Sequence, residues 1–175
     1  MHTYRGFTLI ELLVTITIAA ILAAIGVPNL SDFIKNNRLT TTANDLLADL
    51  ALARSEAAKR GQPVSVCPSS NGSTCSTGSW TTGRIVFSDS GSSGTVDGPD
   101  IVIRLTESSS PGISIVSSGF ANTSYIRYIS SGAMSTGNTN LGAFKICDDR
   151  NGAFGKLVSI SNTGRASIQS GQTCP

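Results

Sequence analysis

Charged side chains are scarce in this chain. Asp, Glu, Lys and Arg together make up 14% of its 175 residues, and the net charge is +2. A balance so close to neutral does not indicate a protein that coats nucleic acid by electrostatic attraction. The length corresponds to about one domain, which leaves little room for a second hydrophobic core.

Motifs for metal, redox and phosphate chemistry are also missing. Histidine occurs only at His2, and none of the four cysteines belongs to a C-x-x-C pair. Zinc-ribbon and thioredoxin-like sites are therefore disfavoured. No glycine-rich phosphate loop follows a predicted strand and opens a helix, so the sequence has no nucleotide-binding fingerprint.

What the sequence does have is a long apolar run near its start. From Phe7 to Val27 every residue is apolar or small except three threonines and Glu11. A helix of this length spans roughly 30 Å, the thickness of the hydrocarbon core of a bilayer. The small-residue pairs that a secretory signal would need after the run lie inside it. We therefore predict a cleavage site before the run rather than after it, and a transmembrane helix over residues 7–29.

Glu11 is the unusual residue of this run. A charged side chain within a spanning helix costs about 2.5–3.5 kcal/mol on insertion scales, so it is a functional candidate by default. The alternative is that Glu11 lies near the cytoplasmic interface and only reaches water.

The helical pattern continues beyond the apolar run. Gly26 and Pro28 predict a kink or a local unwinding, because proline removes one backbone donor and disturbs the preceding turn. Over residues 30–60 an apolar stripe recurs at alternating spacings of four and three, typical of an amphipathic helix. Most charged residues, Asp49 among them, are expected off that stripe. Gly61 and Pro63 are typical helix-ending residues.

After residue 61 the pattern predicts short strands separated by Gly, Ser, Asn, Asp and Pro. We expect one antiparallel sheet, or two small sheets packed on the helix, within residues 61–175. The predicted strands are Val64–Cys67, Arg84–Phe87, Ile101–Leu105, Ile113–Val116, Tyr125–Ile129, Ala143–Cys147 and Leu157–Ile160.

The four cysteines lie in this β-rich region. Their even number in a region of secreted type indicates two disulfides and an oxidising compartment. Four cysteines allow three pairings. We favour Cys67–Cys75 and Cys147–Cys174, because each closes a local loop rich in Gly and Ser; four free thiols are the alternative.

The stretch Gly6-Phe7-Thr8-Leu9-Ile10-Glu11, followed by an apolar helix, resembles the class III signal of type IV pilins and type II secretion pseudopilins. The resemblance implies that a prepilin peptidase cuts after Gly6 and that Phe7 becomes N-methylated. Glu11 would then neutralise the new α-ammonium of a neighbouring subunit, since leaving either charge unpaired in hydrocarbon costs more. Such a pairing would set subunit register.

A second stretch narrows the resemblance. LLADLALARSEAAKR, at residues 46–60, precedes PVSVCPSSNGSTCSTGSW and GRIVFSD, an order similar to the GspH/FimT branch of pilin-like proteins. This implies an α+β, ladle-like pilin fold in which a long N-terminal helix, transmembrane in its first half, packs on an antiparallel β-rich domain. The implied protein is a minor pilin of a type IV pilus, in the priming or tip complex. A GspH-like pseudopilin of type II secretion is an alternative.

The resemblance also implies partners and location. Other pilins, the prepilin peptidase and the inner membrane are the expected partners. The protein would be single-pass in the inner membrane with a periplasmic C-terminal domain, and would then move to the pilus at the cell surface.

DNA is a further candidate partner. Some members of this branch bind double-stranded DNA during natural transformation through a C-terminal GRxR motif, which Gly164 and Arg165 match in part, with Ser167 at the second arginine position. Arg150 and Lys156 are candidates to extend the basic surface. Two or three phosphate contacts would give only weak, salt-sensitive binding.

Catalysis and metal binding are not expected. If residues 1–6 are removed the chain keeps no histidine, so Ser–His–Asp and Cys–His arrangements are unsupported. Asp89, Asp97 and Asp100 share one loop, and calcium favours clustered carboxylates. Their spacing matches no EF-hand, however, and Asp-Gly is primarily a turn signal. We predict a structural protein without a cofactor.

Overall fold

The computed structural model describes residues 7–135 and 142–175. Within them one helix precedes eight strands, and every strand pairing is antiparallel. The elements are α1 Leu9–Arg60, β1 Val64–Pro68, β2 Arg84–Ser88, β3 Val102–Thr106, β4 Ser114–Ser118, β5 Ile126–Tyr128, β6 Gly142–Cys147, β7 Gly152–Ile160 and β8 Ala166–Cys174.

The strands form two four-stranded sheets, with the orders β3-β2-β1-β5 and β4-β6-β7-β8. The prediction of small antiparallel sheets packed on the helix is confirmed, and the fold is α+β. The chain divides into two units, one up to Asn37 and one over Arg38–Pro175. Within the described residues the helix buries no side chain before Leu39, and the boundary at residue 30 stays a prediction.

The core of the second unit lies between the helix and both sheets. Every side chain of the predicted stripe is at most 1% exposed, because residues three and four apart share one helix face. The stripe consists of Leu39, Ala43, Leu46, Leu50, Ala53 and Ala57. These side chains pack with Val64 and Val66 of β1 and with Phe144 and Ile146 of β6.

The central strands β1 and β2 are buried on both faces. Val86 belongs to the core beside the helix, whereas its neighbours Ile85 and Phe87 point to the opposite face and pack with Cys67 in a second cluster. This follows from the period of two along a strand. Loop residues cover that second face, among them Val96 and Tyr125.

α1 runs unbroken through Gly26 and Pro28, and the kink predicted at these residues stays a prediction. Proline removes one backbone donor, which a helix of this length tolerates when the neighbouring turns remain bonded. In the adjacent turn the side-chain amide of Asn29 donates to the carbonyl of Ile25 at 2.8 Å. The helix ends as predicted, with Gly61 in the left-handed region at φ 66°.

One strand escaped prediction. β8 carries few apolar residues. It forms a strand because it pairs with β7 over seven residue pairs, not because its own residues strongly favour a strand. β7 also begins at Gly152, five residues before the predicted Leu157, and has bulges around Gly155.

Candidate functional sites

The first unit is an apolar helical segment with no buried face. Every large apolar side chain between Phe7 and Ile34 is at least 42% exposed. This part of α1 is long and apolar enough to cross a membrane. A helix that is apolar all round is stable only when lipid or other protein covers it.

The hydroxyl groups of this segment are satisfied by its own backbone. Thr15 donates to the carbonyl of Leu12 and Thr17 to the carbonyl of Leu13, both at 2.7 Å. Such bonds to a preceding turn let threonine enter an apolar environment without an unpaired donor. Glu11 is therefore the polar residue of the run whose side chain is not satisfied by the backbone of the helix.

Glu11 lies in the first turn of α1, and its side chain is exposed. The hydroxyl oxygen of Thr8 accepts a hydrogen bond from the backbone N–H of Glu11 at 3.3 Å. Thr8 and Glu11 have the T-x-x-E spacing of a capping box, a signal that sequence reasoning missed. Among residues 7–135 and 142–175, no cation forms an ion pair with this carboxylate.

The predicted processing site lies at the edge of what the structure describes. Gly6 is outside the described residues. Phe7 lies two residues before the first helical residue, Leu9, and is 77% exposed. An amine created at residue 7 would therefore lie next to the first turn of α1, the turn that contains Glu11.

Two disulfides join the cysteines in the favoured pairing. Cys67 is bonded to Cys75 across a sequence separation of 8, and Cys147 to Cys174 across a separation of 27. The second bond ties the end of β8 to the end of β6. It thereby fixes the polar edge strand that the sequence pattern did not reveal.

The four candidate DNA-binding residues are not brought together. Gly164 is buried in the turn between β7 and β8, where a Cβ would lie 2.4 Å from the carbonyl oxygen of Gly132. The need for glycine here is therefore structural. Arg165 follows it on the surface, and its side chain forms no ion pair within the described part of the chain.

The other two cations lie farther along the hairpin and are engaged. Arg150 donates to the carboxylate of Asp148 at 2.7 Å and stacks 4.2 Å from the centre of the Phe154 ring. Lys156 donates to the hydroxyl of Ser170 at 2.9 Å. Lys156 lies four residues before Ile160, the last paired residue before the turn, which is roughly 13 Å along a strand. Arg150 and Lys156 therefore lie apart from Arg165, and their part in binding DNA stays a prediction.

The carboxylate of Asp148 is correspondingly stabilised. Partial burial opposes its ionisation, but hydrogen bonds and charge from Arg150 outweigh this and lower the pKa of Asp148 below its ordinary value of 3.8. Arg150 is therefore neutralised locally and offers little attraction to a phosphate.

The structure reveals a groove that the sequence did not indicate. It lies between the second half of α1 and the turns before β6 and β8, with a volume of about 470 Å³. Two arginines from distant parts of the chain, Arg54 and Arg165, line it together. Arg54 Nε donates to the carbonyl of Gly132 at 2.9 Å, which fixes the direction of that side chain.

The aspartate loop is an internally bonded turn. Asp89 is fully buried, accepts a hydrogen bond from Ser65 and forms an ion pair with Arg127. Burial opposes the ionisation of Asp100, but hydrogen bonds from Ser90 outweigh it and lower the pKa of Asp100. Within residues 7–135 and 142–175 no cluster of three His, Cys, Asp or Glu residues has the arrangement of a metal site.

A long N-terminal helix on antiparallel sheets is a pilin-like fold, and solved structures of pilin-like proteins share it. The minor pilin FimU of Pseudomonas aeruginosa superposes with a TM-score of 0.63 at 21% identity, over 82% of this chain and 99% of that one. The minor pseudopilin EpsH of Vibrio cholerae gives a TM-score of 0.54 at 13% identity, over 76% and 97%. At these identities the likeness shows the fold.

The family follows from sequence. Residues 42–164 match the model of type II transport protein GspH, and residues 1–27 match the prokaryotic N-terminal methylation motif. The chain belongs to the GspH family. It is thus a minor pilin or pseudopilin of the type IV pilus and type II secretion kind, and membership implies assembly with other pilins. The motif and the apolar helix are consistent with membrane anchoring and pilus assembly.

Two curated relatives come from Moraxella bovis. Fimbrial protein Q is 39% identical over 67 residues, which is 35% of this chain and 43% of that protein. The type IV major alpha-pilin is 44% identical over 48 residues, or 27% and 30%. The chain thus matches less than half of the length of either relative.

Proposed function

We propose that this chain is a minor pilin of a type IV pilus, a structural subunit rather than an enzyme. A prepilin peptidase removes residues 1–6, Phe7 is N-methylated, and the apolar segment inserts in the inner membrane with the C-terminal domain in the periplasm. The subunit then enters the priming or tip complex of the pilus. The observation that carries the proposal is an apolar helical segment with no buried side chain, in whose first turn the carboxylate of Glu11 forms no ion pair among the described residues.

The chemistry of assembly follows from that carboxylate. Cleavage after Gly6 creates an α-ammonium at Phe7. In a filament core, with water excluded, this cation and Glu11 of an adjacent subunit attract each other more strongly than in water. Because both groups lie at the start of their helices, the pair forms at one axial offset between subunits. It therefore selects register, as one buried polar residue does in a coiled coil.

The test is Glu11→Ala in the full chain, with Thr15→Val as the matched control. Both changes remove a polar group from the same helix, but the hydroxyl of Thr15 is already satisfied by Leu12. We expect Glu11→Ala to insert normally in the membrane and to enter sheared filaments at least about tenfold less, as the loss of about 1.4 kcal/mol or more predicts. Thr15→Val should assemble normally. Wild-type incorporation of Glu11→Ala contradicts the proposal.

Two other roles remain candidates for the same fold. A pseudopilin of type II secretion would use the same helix chemistry, and the identity of neighbouring genes, pilin or secretion genes, separates the two. A DNA receptor is supported by the exposed Arg165. It is weakened by the engagement of Arg150 with Asp148 and by the distance of Lys156 along the hairpin.

A further inference from the structure

The groove beside α1 has the composition of a site for an anion attached to an apolar group. Its walls are small or apolar, and none of the residues that line it is acidic. They include Ala51, Arg54, Ser55 and Ala58 of α1, with Gly132 and Arg165 from the turns. Among the described residues that line the groove, the two guanidinium groups are therefore the only charges.

Neither arginine is neutralised. No carboxylate among residues 7–135 and 142–175 forms an ion pair with Arg54 or Arg165. Arg54 is half-buried and uses Nε on Gly132, and no hydrogen bond occupies its terminal nitrogens within this part of the chain. A half-buried guanidinium held in one direction is prepared for a bidentate acceptor, because little side-chain entropy remains to be lost.

A buried hydroxyl lies close to the same arginine. The hydroxyl of Tyr128 is fully buried and has no hydrogen-bond partner in the described part of the chain. Burial raises the pKa of Tyr128, and the positive charge of Arg54 partly offsets this effect. The Tyr128 ring also lies 3.0 Å from the place where a Cβ on Gly164 would stand. A Cβ at Gly132 would lie 3.4 Å from Cγ and Nε of Arg54, so glycine at this position leaves room for the arginine side chain.

We infer that this groove binds an acidic segment of a neighbouring pilin-like subunit, with a carboxylate between Arg54 and Arg165 and a short apolar side chain against Ala51 and Ala58. The inference rests on the proposed assembly function and names a second contact, separate from the apolar first part of α1. Arg–carboxylate pairs are geometrically specific and gain strength in a partly dry groove.

The shape of the site favours a peptide over duplex DNA. A concave groove of about 470 Å³ suits one or two side chains. A duplex presents its phosphates along an extended surface, and binding grows with the number of cations that reach them. The hairpin supplies one free cation, Arg165, while Arg54 lies within the groove.

The experiment places the photocrosslinking residue p-benzoylphenylalanine at Ser55, in the groove, in the full chain expressed with its pilus subunits. Ser118, exposed on β4, carries it in the control. We expect a crosslink from position 55 to an acidic segment of a pilin-like subunit, located by mass spectrometry. Arg54→Gln with Arg165→Gln should reduce its yield at least about fivefold, since both charges that hold the carboxylate are gone.

Matched variants separate groove chemistry from net charge and from folding. Arg38→Gln with Lys145→Gln removes the same two charges elsewhere and should leave the yield unchanged. Arg54→Lys with Arg165→Lys should restore part of it. Changing the mapped partner carboxylate to Gln should reproduce the loss. Trp80 fluorescence checks that each variant is folded, because that side chain is only 3% exposed in the core.

Three results would overturn the inference. Position 55 gives no crosslink, or it gives a crosslink whose yield does not change when both arginines are replaced. The third result is arginine-dependent binding of a duplex oligonucleotide in a gel shift without any subunit crosslink. Failure here is distinguishable from failure of the proposed function. If Glu11→Ala enters filaments normally, the proposed assembly role is wrong. If Glu11→Ala fails to enter filaments but the crosslink does not depend on the arginines, only the groove contact is wrong.

Discussion

Apolar side chains are exposed in the first part of α1 and buried in its second part. From Phe7 to Ile34 every large apolar side chain is at least 42% exposed, whereas each residue of the stripe from Leu39 to Ala57 is at most 1% exposed. The backbone is one continuous helix in both parts. What differs is the pattern, apolar all round in the first part and on one face in the second. The comparison teaches that the second part finds its partner within the chain, and the first requires one outside it.

The carboxylates of the two parts differ in the same way. Asp49 is fully buried and meets Arg84 at 3.0 Å, Arg104 at 3.3 Å and the hydroxyl of Thr106 at 2.9 Å. These contacts tie α1 to β2 and β3. Glu11 has no partner among the described residues. A buried charge must be paired within the fold, while an unpaired one in an apolar segment is available to another molecule.

The largest expected effect on stability comes from breaking the ion pair between Asp49 and Arg84. Asp49→Asn leaves Arg84, which is 2% exposed, without its counter-charge. The free energy of unfolding should fall by about 3–5 kcal/mol. Glu11→Gln, which also replaces a carboxylate by an amide, should not change it. Urea titration followed by Trp80 fluorescence, with the full chain in detergent micelles, measures both. Equal effects would abolish the distinction between the two carboxylates.

The next effect concerns the apolar surface itself. Leu46→Ala opens a cavity in the core beside the helix and should lower the free energy of unfolding by about 2–5 kcal/mol. Leu22→Ala removes the same atoms from a side chain that is 65% exposed and should leave the Trp80 transition unchanged. Membrane association should be weakened more by Leu22→Ala than by Leu46→Ala. A loss of stability from Leu22→Ala would contradict the division of the helix.

The smallest effect is a pH dependence confined to the sheet. Because the pKa of Asp148 is lowered in the folded state, its contribution is present above the ordinary value of 3.8 and is lost as pH falls below it. Acid unfolding of Asp148→Asn should therefore be less steep than that of the wild type in this range. Thermal melting at pH 3 and pH 6 measures the difference. Identical pH dependence of the two proteins would show that Asp148 does not contribute.

Local pattern was enough for much of the architecture. The alternating spacings of four and three identified all six stripe residues, because one helix face is a local property of sequence. The cysteine pairing was favoured for similarly local reasons, short loops rich in Gly and Ser. The strand positions were found to within a few residues, but β8 was missed, since its apolar content is low and its order depends on β7 and on Cys174.

The sequence by itself determined the apolar helix, its lone acid, the buried stripe and the strand-and-turn character of the remainder, because each follows from residue type and period along the chain. Only the tertiary structure decided that Asp49 is buried among arginines, that Gly164 must be glycine beside Gly132, and that Arg54 shares a groove with Arg165. These are contacts between residues far apart in sequence. They arise when sheets close on a helix, and no local period encodes which side chains then meet.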